Sequence, residues 1–139
     1  MQKTQKKIIG LIVERLFSFP VGSYLSSENF SRFCRQEDLN DVWSESLDLS
    51  RDRPDLYGDS VIRNALVEFL YHIFYRRPED FPALFVRFLA GFSPDIARPL
   101  LLEDLKKDLQ DLGYPAESLE KIFSVLIADE VDRGNPQQG

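Results

Sequence analysis

The chain has 139 residues, 43% of them hydrophobic and 29% charged, with a formal net charge of −6. That length fits one domain able to bury about two-thirds of its unfolded surface, and an aromatic content of 12% excludes a disordered acidic segment. Apolar runs are short and broken by charge, so no membrane span of roughly 20 residues is predicted.

The charge is unevenly placed. Residues 1–98 carry 13 basic and 14 acidic side chains, whereas residues 99–139 carry 4 and 9. The C-terminal third should therefore repel phosphate backbones. One cysteine, Cys34, provides no internal disulfide, and the basic start "MQKTQKK" precedes an apolar run, "IIGLIV", that ends at Glu14 and Arg15. No small-residue cleavage site follows, so no export signal is predicted and a cytoplasmic location is expected.

The first predicted helix covers residues 5–17, with Ile8, Ile9, Ile12, Val13, Leu16 and Phe17 at helical spacing. "SFPVGSYLS" should break it through Pro20 and Gly22. Ser27 is the expected N-cap of a short helix carrying Phe30, Phe33 and Cys34, the last as a small buried hydrophobe. A further short helix holds Leu39, Val42, Trp43 and Leu47.

Asp59 is the expected cap of a helix running to Arg76. At 100° per residue, Val61, Ile62, Ala65, Leu66, Phe69, Leu70, Ile73 and Phe74 fill an arc of roughly 220°, so this helix should be central. Pro78 ends it. Pro78, Glu79, Asp80 and Pro82 then read as a helix start, followed by an inward face of Phe81, Leu84, Phe85, Phe88, Leu89 and Phe92, with Arg87 opposite and Gly91 as the stop. Leu101, Leu102, Leu105, Leu109 and Leu112 form the next stripe, with Glu103 and Lys107 spaced for a surface ion pair and Gly113 ending the helix. Pro115 opens a last helix striped by Leu119, Ile122, Phe123, Leu126 and Ile127. The expected fold is all-α, a compact single-domain bundle of about six or seven short helices over residues 1–130 with a flexible tail at 131–139.

His72 is the only histidine. Glu68 and Arg76 flank it by one turn, which outlines a general base held by a carboxylate. It lies at the edge of an apolar arc with no nucleophile nearby, so a structural histidine tied to Glu68 or a backbone carbonyl is expected. Arg63, nine positions upstream, is too far for an Arg-x(4–6)-His nuclease motif. One histidine and one cysteine do not supply four zinc ligands, the clusters "EDLND" and "LEDLKKDLQDL" read as solvated helix faces, and no phosphate loop occurs. The expectation is therefore no catalytic, cofactor or metal residues, and a chain that is not an enzyme. Arg76, Arg77, Arg87 and Arg98 bracket the aromatic helix and are the candidate partner-binding residues, against capping of helix ends and pairing with Glu79, Asp80 or Asp95.

The stretch "FPALFVRFLAGFSPDIARPLLLEDLKKDLQDLGYPAESL", residues 81–119, resembles the small helical N-terminal domain of abortive-infection proteins of the AbiJ type. The likeness rests on an aromatic helix ending in "VRFLAGF", a proline turn with Arg98 and Pro99, and a leucine-striped helix closing at "DLGY". That family places a histidine before the turn, where this chain has Ser93. The resemblance implies a non-catalytic accessory module in phage defence. A protein partner is expected; the alternative is a nucleic-acid-associated subunit using its arginine face.

Overall fold

The computed structural model describes residues 2–17, 21–91 and 99–124. The fold is all-α. Its helices are α1 (Gln2–Leu16), α2 (Val21–Leu25), α3 (Glu28–Gln36), α4 (Asn40–Arg51), α5 (Asp59–Arg76), α6 (Phe81–Ala90) and α7 (Pro99–Asp111), followed by helical residues 116–124, here α8. Phe92, Ser93, Arg98, Leu126, Ile127 and the tail at 131–139 lie outside the described residues.

The expectation for α5 holds in extent and in place. It packs on α4 and α1 and buries Ala65, Leu66, Phe69, Leu70, Ile73 and Phe74. Phe30 of α3 is the hub of an aromatic cluster, with ring centroids 5.1 Å from Trp43, 5.7 Å from Phe69 and 6.0 Å from Phe88. Phe81, Phe85 and Phe88 of α6 extend it towards Phe74 and Tyr114. Most of these contacts are edge-to-face, the arrangement the ring quadrupole favours. Phe69, Phe74, Phe81, Phe85 and Phe88 of the aromatic stretch are thus core, while Tyr75, Arg76 and Arg87 are exposed.

Helix α2 departs from the sequence reading, which expected only a break. Five residues do not hold a helix by propensity; burial does. Tyr24 and Leu25 are buried, and the Tyr24 hydroxyl donates to the Phe88 carbonyl at 2.9 Å. A Cβ at Gly91 would lie 2.9 Å from that hydroxyl. Glycine at the end of α6 is therefore required by close approach, since its φ of −84° is ordinary.

Helix ends follow the sequence unevenly. Ser27 caps α3 as expected, its Oγ accepting from the Phe30 N–H at 3.3 Å. Gly113, at φ +111°, closes α7 in a Schellman turn: Gly113 N–H donates to Gln110 and Tyr114 N–H to Leu109. The same bonding pattern ends α3, with Asp38 at φ +58° in the left-handed position. Asp59 is not the cap of α5. Gly58 holds that position at φ +61°, and Asp59 occupies the first turn, where its charge favours the helix dipole.

Two expectations about surface charge fail. Glu103 pairs with Lys106 at 2.8 Å, rather than with Lys107, because Lys106 is buried between α7 and α8 and also reaches Glu120 at 2.8 Å. Burial works to lower the Lys106 pKa, and the hydrogen bonds it donates to Glu103 and Glu120 outweigh it, leaving the ammonium above its ordinary value. Asp108, read as solvated, is 3% exposed. The Arg15 Nε donates to Asp108 Oδ2 at 2.6 Å and Nη2 to Oδ1 at 3.3 Å, a bidentate pair that ties α1 to α7.

Candidate functional site

Of the arginines singled out by sequence, Arg76, Arg77 and Arg87 are on the described residues. Arg76, in the last turn of α5, is exposed and joins no ion pair among the described residues. Arg77 donates from Nη1 to the Glu37 carbonyl at 3.3 Å and lies 3.8 Å from Asp80. Arg87 Nη1 sits 3.3 Å from Glu37 Oε2. Two guanidinium groups thus converge on the residue that ends α3, where cations offset the negative end of the helix dipole. Arg98 lies outside the described residues.

Above Glu37 an open cleft of about 340 Å³ separates α3 from the end of α6. Asn29, Arg32 and Gln36 line one wall, Arg87 and Gly91 the other, and Tyr24 lies at its base. Arg32 is exposed and joins no ion pair among the described residues. Two guanidinium groups and one carboxylate line the cleft; Glu37 pairs with Arg87, and Glu28, one turn before Arg32, lies within its electrostatic reach. A carboxylate entering it would meet planar donors from two helices.

A second open cleft, of about 210 Å³, lies between α4 and α5, and Lys6 of α1 reaches its edge. His72 lines it. Among the described residues His72 forms neither of the expected bonds, to Glu68 or to a backbone carbonyl; the Glu68 carboxylate is salt-bridged by Lys6. The close approach of α4 to α5 rests on small residues. Ser46 and Ser50 are buried, their hydroxyls donate to the carbonyls four residues earlier, and Asn64 donates to Ser50 Oγ at 2.9 Å.

Burial pushes the Cys34 thiol up to about 11, so it stays protonated at neutral pH. The Tyr24 phenol is raised by burial and then by the charge of Cys34. No group of three or more His, Cys, Asp or Glu residues suited to a metal is gathered among the described residues, and no helix among them is long and apolar enough to cross a membrane.

No family model, curated protein or solved structure matches the chain.

Arg32 lines the cleft although the sequence did not single it out. Asn29, Arg32 and Gln36 recur at helical spacing on α3, which marks a polar face. Nothing local indicates that this face meets Arg87, 55 positions later. The α4–α5 cleft was hidden for the same reason.

Proposed function

We propose that this chain is a non-catalytic protein-interaction module, acting in the cytoplasm, whose Arg32 and Arg87 cleft holds an acidic segment of a partner protein. The observation that carries the reading is the pair of arginines lining one open cleft, Arg87 paired with Glu37 and Arg32 in no ion pair among the described residues. Arg77 buttresses the site from the other side of Glu37, and Arg76 stands outside the cleft as a flanking charge. Carboxylates favour such a site through bidentate hydrogen bonds.

A nucleic-acid partner would need a broader basic surface, and the net charge of −6 works against it. The resemblance of residues 81–119 to AbiJ-type domains supports an accessory role in phage defence. Of that pattern, α6, α7 and the Gly113 turn are on the described residues.

The test is fluorescence anisotropy with two probes, a glutamate-rich peptide and a DNA duplex, over a salt series. The glutamate peptide should bind and weaken as salt rises, and the Arg32→Glu/Arg87→Glu variant should lose it while keeping its circular dichroism. Tight DNA binding with a steep salt slope, and none to the peptide, would turn the reading to the nucleic-acid alternative.

A further inference from the structure

The α4–α5 cleft has the opposite charge character, and its chemistry is independent of the arginine site. Along α4 and its C-cap, Asp41, Glu45, Asp48 and Asp52 are spaced by four, three and four residues, which sets them on one helix face. All four are exposed, and none joins an ion pair among the described residues. Asp48 and Asp52 sit near the carbonyl end of α4, where negative charge opposes the helix dipole. A cation bound there would remove that penalty.

Beside the stripe the surface is apolar. Leu49 is 58% exposed and Tyr75 61% exposed, and both line the cleft with Val42, Tyr71 and Glu45. A large exposed tyrosine next to an exposed leucine, rimmed by charge, has the composition of a contact surface. The chain also supplies a sample of what this cleft accepts. Lys6 lies with Nζ 5.5 Å from the Tyr71 ring centroid and is salt-bridged to Glu68. A lysine side chain is thus already held at one end by a ring face and a carboxylate.

We propose that the α4–α5 cleft docks a basic segment of a partner protein, an amphipathic helix with lysine or arginine on one side and an apolar anchor on the other. Its cations lie along Asp41, Glu45, Asp48 and Asp52, and its anchor packs on Leu49, Tyr71 and Tyr75. Charge complementarity selects this occupant. A second copy of the chain would bring its own net charge of −6, which opposes self-association.

The test uses a synthetic amphipathic peptide of leucine and lysine, with a leucine–glutamate peptide as its counterpart. Affinity is read by anisotropy, and the site by amide chemical shifts of the labelled protein. The lysine peptide should bind saturably, shifting α4 and α5 amides, and the glutamate peptide should not produce those shifts. Glu45→Lys/Asp48→Lys should weaken binding about tenfold or more. Asp111→Lys/Glu117→Lys makes the same change in net charge at exposed positions elsewhere and should leave binding nearly unchanged. Lys6→Ala should tighten it by freeing Glu68 and Tyr71. Equal weakening by the two double variants, shifts centred on α7, or weaker binding by the Lys6 variant would overturn the proposal.

Discussion

Arg15 and Asp108 are 93 residues apart, and the two ends of their bond are not equivalent. The Asp108 side chain is 5% exposed and the Arg15 side chain 35%. Removing Arg15 leaves a carboxylate in the interior with no cation, whereas neutralising Asp108 leaves a guanidinium that reaches water. Arg15→Met should therefore cost about 3 kcal/mol and Asp108→Asn about 1 kcal/mol, measured by urea denaturation. Equal losses would mean that the pair acts as an ordinary surface bridge. Neither partner was legible in the sequence, since Arg15 reads as the end of an apolar run and Asp108 as one acid among several. Their pairing exists only once α1 lies on α7. Cys34 was legible, because Phe30, Phe33 and Cys34 share a face. Its thiol has a native pKa near 11 against an ordinary 9.0, with burial as the cause. The native state therefore keeps a proton that the unfolded chain releases, so this contribution is full below about pH 9 and is lost as pH rises through about 11. Tyr24 and Tyr114, also raised by burial, add to the same trend above about pH 10. The melting temperature should fall from pH 8.5 to 11, and less steeply in Cys34→Ala. A flat profile would contradict the burial of these groups.

At the scale of elements, α5 carries the core. Phe69 is fully buried and touches Phe30 and Trp43 edge-on. Phe69→Ala should cost about 3–5 kcal/mol, the range for emptying a buried aromatic site. A loss below ~1 kcal/mol in a denaturation experiment would show a peripheral helix. The apolar arc of α5 was readable because eight residues repeat at 3.6-residue spacing and proline marks the end. Helix α2 was not readable, since its stability comes from Tyr24 meeting Phe88 and Gly91. The same limit applies to α4, whose buried Ser46 and Ser50 carry no hydrophobic signal. Sequence periodicity reports one helix against an average interior, and it is silent on which neighbour covers which face.

At the scale of the molecule, the charge excess that sequence located in the C-terminal third proves only part of the pattern. Acids on α7 are partly consumed by Arg15 and Lys106. Two clefts of the described residues differ in the charge beside them, Arg32 and Arg87 lining one and the acids of α4 flanking the other. A binding module with two such surfaces engages a partner through charge that salt screens and single reversals invert. Arg32→Glu should change stability by only about 0.5 kcal/mol or less, whereas Arg87→Glu also sets a carboxylate against the Glu37 side chain, 14% exposed, so circular dichroism of the variant separates loss of binding from loss of fold. The most direct test is quantitative co-purification from the source organism, comparing the native chain with Arg32→Glu/Arg87→Glu and identifying bound proteins by mass spectrometry. The account predicts a partner retained by the native chain and lost from the folded variant. An identical set of bound proteins from both, or nucleic acid alone, would contradict it.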